Sequence, residues 1–262
     1  MRSQATSRPF RDLGLSLTLL TVVPLRTRWP EAERPDIAGY FPAAGLLLGG
    51  FAFLLAYAPV VHDVPFSSES PLHALLLAAV LITVWALLTR MFHWDALADV
   101  VDAYWGADEP DRRRSIMSDP HVGAFGACGL VLAVLLQLTA VAVLIGQGAL
   151  LALAMAPVLG RYAAVFGAWL GTPAKPTGLG AAVAGRPRGA SVLFAAALFA
   201  AVALAAGRVG PGELMVVIAG LLLSLATPHL LAARFGGVTG DVLGAAVLLT
   251  ETAVLVLFAW VS

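Results

Sequence analysis

Seven runs of apolar residues, each close to the length that crosses a bilayer, constrain this chain more than any other feature. They fall at about residues 37–58, 71–90, 122–145, 148–170, 190–207, 212–232 and 241–261. A helix needs roughly 20 such residues to span the hydrocarbon core. Only 12% of the 262 residues are charged, against roughly 25% in a soluble domain. The expectation is an all-α polytopic membrane helix bundle of about seven transmembrane helices, forming one integral membrane domain over residues 1–262. The run 13–25 is too short to span and is expected to lie at the interface or to re-enter. Pro157, Gly160 and Arg161 interrupt the run 148–170 and blur its ends.

Orientation follows from lysine and arginine. Arg2, Arg8, Arg11, Arg26, Arg28 and Arg34 precede the first run. Arg90, Arg112, Arg113, Arg114, Lys175, Arg186, Arg188 and Arg234 fall in the loops that a seven-span chain returns to the same side. That is fourteen of sixteen basic residues, and it predicts that this side is cytoplasmic. The N-terminus shows no signal-peptide pattern. Net charge is zero, and nothing points to nucleic acid. The lone Cys128 sits in an apolar run and reads as a small buried packing residue. The tryptophans mostly mark span ends, as in an aromatic belt.

The polar segments with chemical character gather on the basic side. A transporter would place ionisable groups near the midplane, often on paired broken helices. The densest segment is His93-Trp94-Asp95-Ala96-Leu97-Ala98-Asp99-Val100-Val101-Asp102. On a helix, Asp95, Asp99 and Asp102 stand at i, i+4 and i+7 and share one face. Three carboxylates on one stripe repel each other unless a cation neutralises them. Hard oxygen ligands at that density suit Mg²⁺, which takes a few carboxylates plus substrate phosphates. His93 reads as a general base, a phosphate donor or an interfacial polar residue.

Four further places carry candidates. Asp119, before Pro120, can cap the next helix, and that helix start with Gly123 and Gly126 also suits an anion. Arg161 lies inside a span, so it needs a carboxylate partner or a substrate phosphate. Lys175 sits in the Gly-containing loop Lys175-Pro176-Thr177-Gly178-Leu179-Gly180, either a basic connector or a phosphate contact. Arg234-Phe235-Gly236-Gly237-Val238-Thr239-Gly240-Asp241 is a glycine-rich loop whose backbone can approach a ligand closely, with Arg234, Thr239 and Asp241 alongside. Glu251 lies in the last apolar run, where an ionisable residue is a site hypothesis by default.

With these residues assembled, the chain resembles the cobalamin synthase family, the adenosylcobinamide-GDP ribazoletransferases. The resemblance covers most of the chain. It is carried by Leu20-Thr21-Val22-Val23-Pro24, the segment Tyr40 to Gly49, the block His93 to Asp102, Ile116-Met117-Ser118-Asp119 with Gly123-Ala124-Phe125-Gly126, Gly178-Leu179-Gly180, and Gly236 to Ala245. Departures from the family pattern are Met91 and Ala96 for glycines, Ser118 for a lysine, Pro120 for a serine and Leu248 for an acidic residue. A methyl at position 96 should tighten the helix, and loss of a lysine at 118 should weaken a phosphate contact.

The resemblance implies a reaction. α-Ribazole, or its 5′-phosphate, attacks the phosphoryl group carrying cobinamide. GMP leaves, and adenosylcobalamin or its 5′-phosphate forms. It implies Mg²⁺ on Asp95, Asp99 and Asp102, with Asp119 or Asp241 completing the shell, and His93 orienting or deprotonating the ribazole hydroxyl. Arg161, Lys175 and Arg234 would hold diphosphate oxygens, with Thr239 and Glu251 in the same site. The implied setting is a bacterial cytoplasmic membrane with the site facing the cytoplasm, and a homo-oligomer is left open. Rival readings are another Mg²⁺-dependent membrane phosphotransferase, a prenyltransferase acting on a diphosphate, or a transporter. The first of these expects an arginine after Ala98 and the second two aspartate-rich segments, and the chain has neither. The one-sided charge distribution and the missing internal repeat speak against the third.

Overall fold

The structure is a computed structural model that describes residues 9–25, 35–61, 71–185, 187 and 189–262. Eleven α-helices follow one another among these residues. They are α1 (Pro9–Leu20), α2 (Phe41–Val61), α3 (Pro71–Leu88), α4 (Phe92–Gly106), α5 (Pro110–Ile116), α6 (Ala124–Gly146), α7 (Leu150–Leu170), α8 (Leu179–Val183), α9 (Ala190–Val209), α10 (Pro211–Phe235) and α11 (Gly240–Val261). No strand occurs among the described residues; one isolated parallel bridge joins Pro173 to Val238.

Each expected span is a helix long and apolar enough to cross a membrane. The short run near the N-terminus is α1, 12 residues long and docked on the ends of other helices. The orientation reading draws on Arg2, Arg8, Arg26, Arg28, Arg34, Arg186 and Arg188, which lie outside the described residues, as does Trp29.

The centre of the bundle is α7. The expected interruption at Pro157, Gly160 and Arg161 does not break it, and 83% of its apolar window is buried, against 22% for α9. Small residues make this possible. A side chain at Gly45 or Gly49 of α2 would collide with the backbone of Pro157 or Ala154, so those two helices meet backbone to backbone. At Gly160 a Cβ would stand 2.9 Å from that of Glu251 on α11. In lipid, where apolar side chains gain little by leaving their surroundings, such close packing is a main source of helix association. Polar ties supplement it. Ser224 Oγ donates to the Leu159 carbonyl at 2.8 Å, and Gln137 Nε2 to Thr252 Oγ1 at 2.8 Å.

Two expectations need correction. Cys128 is exposed rather than buried. A span's outer face is as apolar as its inner face, so an apolar run does not say which way a residue points. Trp85 is not a belt residue either. It is buried, and its indole N–H donates to the Leu48 carbonyl at 3.1 Å, tying α3 to α2.

Candidate active site at the rim of the bundle

The aspartate helix α4 is not among the helices long and apolar enough to cross a membrane. It leaves α3 through a tight reversal in which Arg90 and Met91 both take positive φ, 54° and 57°. Met91 thus occupies, without being glycine, a backbone region that disfavours a side chain. The Arg90 guanidinium donates to the carbonyls of Thr18, Leu19 and Thr21 and so closes the C-terminal end of α1. From this turn α4 lays Leu97, Val100 and Ala103 against Val242, Ala245 and Leu248 of α11. A Cβ at Gly244 would meet the Ala96 methyl at 2.6 Å. That methyl therefore fills the α4–α11 seam.

The three aspartates of the stripe have three different fates. Asp95 is exposed, Asp99 half-buried and Asp102 buried. Burial, then the charges of Asp95, Asp241 and Asp102, push the Asp99 carboxyl up to about 6. Asp102 is engaged elsewhere. Its two oxygens accept from the backbone N–H groups of Gly123 at 2.7 Å and Gly126 at 2.8 Å, at the start of α6. A Cβ on either glycine would run into that carboxylate. Asp102 therefore caps α6 from another helix, the charge-assisted form of an N-terminal cap.

This displaces the cap expected of Asp119. Helix α6 begins at Ala124 with Gly123 as its N-cap, and Pro120 lies outside it. Asp119 is exposed and accepts from the ring and backbone nitrogens of His121, at 2.7 and 3.0 Å. The ring hydrogen bond holds its carboxyl below the ordinary value. A local cap lost to a distant carboxylate because burying Asp102 requires two donors, and the open first turn of α6 supplies them.

A cavity of about 400 Å³ opens beside this helix, lined by residues including Leu19, Phe92, Arg114, Ser118, Lys175, Thr177, Thr239 and Asp241. Its floor is made of two loops stitched together. Val238 N–H donates to the Thr172 carbonyl at 2.7 Å, and Ala174 N–H to the Val238 carbonyl at 3.0 Å. Gly237 has φ +134°, and a Cβ there would stand 2.7 Å from the Thr172 carbonyl oxygen. The glycines expected to approach a ligand thus include one that approaches the neighbouring loop. Thr239 caps α11, its hydroxyl accepting from Val242 N–H at 3.1 Å. Asp241 sits in the first turn of α11, the end of a helix that favours a negative charge.

The remaining candidates lie apart from this cavity. Arg161 and Glu251 are both buried and form an ion pair joining α7 to α11; Arg161 also donates to the Pro157 carbonyl at 3.2 Å. Of the two partners open to Arg161, the structure shows the carboxylate. His93 is buried, and burial, then the Arg161 charge, hold it well below its ordinary value, so it is neutral. It borders a void of about 10 Å³ with Leu20, Phe41 and Gly244. Arg234 faces another groove, its guanidinium 5.8 Å from the centre of the Tyr104 ring.

The site also gains residues not singled out for chemistry. Arg112, Arg113 and Arg114 were read only as topology, yet Arg114 lines the cavity while donating to the Phe235 carbonyl at 2.6 Å. Three adjacent arginines exceed what the positive-inside rule asks of a short loop, and that excess was the available signal. Leu19 brings α1 into the wall.

Among the described residues no three His, Cys, Asp or Glu side chains form a ready-made metal cage. The donor set near the cavity is Asp95, Asp99 and Asp241, all hard oxygen, with like charges that raise Asp99. This chemistry fits a cation such as Mg²⁺, which keeps water and substrate phosphate among its ligands.

A model of the CobS family, cobalamin-5-phosphate synthase, matches residues 12–259. Similar proteins include three named adenosylcobinamide-GDP ribazoletransferase. The one from Frankia casuarinae is 39% identical, covering 93% of this chain and 92% of its own length. Those from Pseudomonas aeruginosa and Corynebacterium efficiens are 36% and 34% identical, covering 95% and 92% of this chain and 98% and 88% of their own. No solved structure matches the chain.

Proposed function

The chain belongs to the cobalamin-5-phosphate synthase family, and we propose that it is an adenosylcobinamide-GDP ribazoletransferase working at the rim cavity. The observation that carries the reading is a cavity lined by Lys175, Arg114 and Asp241, with the Asp241 charge close enough to the α4 carboxylates to help raise Asp99. A diphosphate ester needs that pairing: cations for its oxygens, and carboxylates for the metal that accompanies it.

In the proposed reaction the ribazole hydroxyl attacks the phosphorus bonded to the cobinamide oxygen, GMP departs with the bonding pair, and the hydroxyl proton is lost. Asp95, Asp99 and Asp241 would hold Mg²⁺, which when bound supplies charge neutralisation at the diphosphate. Lys175 and Arg114 bind phosphate oxygens, and Thr177 offers a hydroxyl in the same lining. Asp102 acts through α6, holding the two helices in register. His93 is buried at the start of α4, and the Arg161–Glu251 pair ties α7 to α11. Thr239 lines the cavity while capping α11. The distribution of basic residues supports a cytoplasmic-facing cavity in a bacterial inner membrane.

The test is GMP release by detergent-purified protein given adenosylcobinamide-GDP and α-ribazole, with Mg²⁺ or EDTA. Metal-dependent release with a cobalamin product is expected. Release that persists in EDTA would overturn the metal assignment. No release from folded protein would overturn the reaction.

A further inference from the structure

A second groove, of about 390 Å³, lies between α4, α10 and α11, and shares no lining residue with the rim cavity. Val101, Tyr104 and Trp105 of α4 form one wall, and Leu230 and Arg234 of α10 with Leu249 of α11 form the other. Trp105 is 67% exposed and Leu230 69%. The groove therefore opens outward along spanning helices.

Its charge is one-sided. The Arg113 and Arg234 guanidinium groups both approach the Tyr104 ring, at 5.2 and 5.8 Å from its centre. Arg113 is buried and donates to the carbonyls of Ala107, Arg234 and Tyr104. Among the described residues neither guanidinium has a carboxylate partner. Arg234 stands one residue from the end of the α10 span, and the ends of spans meet the headgroup region. Leu230 is one helical turn deeper, and Leu249 lies roughly 13 Å along α11 from its start.

We propose that this groove binds an anionic glycerophospholipid of the surrounding leaflet. Its phosphate rests against Arg234, its headgroup against Trp105, and an acyl chain runs along Leu230 and Leu249. Basic recesses between spanning helices recognise anionic headgroups in this way, and the aromatic side chains sit at headgroup level. A free phosphate would leave the apolar length of the groove empty, so the occupant carries a chain.

The experiment measures tryptophan quenching in mixed micelles by brominated phosphatidylglycerol and brominated phosphatidylcholine. The Trp105→Phe variant isolates the Trp105 signal by difference. Half-quenching of Trp105 is expected at an about fivefold lower mole fraction of the anionic lipid, the effect of one basic residue near the surface. Arg234→Gln should erase the preference while leaving quenching by phosphatidylcholine in place, and Arg234→Lys should keep part of it. Equal quenching by the two lipids in the wild-type protein would overturn the proposal. So would a preference that survives Arg234→Gln, or one that millimolar inorganic phosphate abolishes. If Arg234→Gln does not fold, the wild-type comparison and Arg234→Lys still decide it.

Discussion

The membrane interior and the rim of this molecule treat charge in opposite ways. Inside, Arg161 and Glu251 neutralise each other across α7 and α11, with both side chains buried. At the rim, Asp99 sits among the charges of Asp95, Asp241 and Asp102, and burial adds to the repulsion. The first arrangement is complete as it stands and holds helices together. The second is strained as it stands, since like charges there raise Asp99. Paired charge ties buried helices together, and the proposed site gathers like charges.

The comparison breaks most visibly if the interior pair is cut. Glu251→Ala leaves a buried guanidinium without a counter-charge, and loss of one partner of such a pair costs about 3–5 kcal/mol. The yield of folded protein on size exclusion should collapse. The double variant Arg161→Met with Glu251→Leu should recover most of it. An unchanged yield for Glu251→Ala would show that the pair is not what holds α7 to α11.

The rim should respond the other way. Asp99→Asn is expected to lower GMP release by about 10²–10³-fold, the scale of losing a principal electrostatic contribution to a transition state. The fold should be unharmed or slightly firmer. A carboxyl raised to about 6 binds more protons in the folded than in the unfolded state. Its cost is fully present above the folded value and disappears as pH falls through it toward the ordinary carboxylate range. Metal-free wild-type protein should therefore gain thermal stability relative to Asp99→Asn as pH drops from 7 to 5. A flat difference would remove the strain from the account.

Asp102 sharpens the contrast, because it stands on the same stripe as Asp99 yet belongs to the structural class. Asp102→Asn keeps one acceptor and loses the charge, so about 1.5–3 kcal/mol should go. Gly126→Ala should give a loss of similar size, because both changes break one cap. If Asp102→Asn abolishes turnover with no change in melting, Asp102 is a ligand and not a cap.

The smallest effect is expected at Met91. Its side chain is half exposed, and φ is +57°. Met91→Gly should relieve about 1 kcal/mol of backbone strain, seen as a rise in melting temperature without a change in activity.

The spans were readable because length and hydropathy alone decide them, and α7 survived its proline because tertiary contacts surround it. The division of labour within the stripe was not readable. Asp95, Asp99 and Asp102 are equivalent by helical period, and only the arrival of α6 against α4 separates them. The partner of Arg161 lies 90 residues away, a distance no local pattern bridges. Lys175, Thr239 and Asp241 were found by loop chemistry and do share a cavity. Arg234, picked by the same reasoning, faces elsewhere, because two neighbouring grooves open at the same rim and chain proximity to Asp241 does not distinguish them.

Arg113 and Arg114 close the end of α10 by donating to the carbonyls of Arg234 and Phe235, 121 residues further along the chain. Those carbonyls do not exist while the first half of the protein is being made. Until the ribosome has delivered α10, the loop carrying Arg114 lacks its contacts with the end of that helix, and the cavity wall it contributes is incomplete. The last helices to enter the bilayer therefore act as the latch for a pocket whose aspartates were synthesised first. A nascent chain stalled before Phe235 would hold most of its spans and no working site.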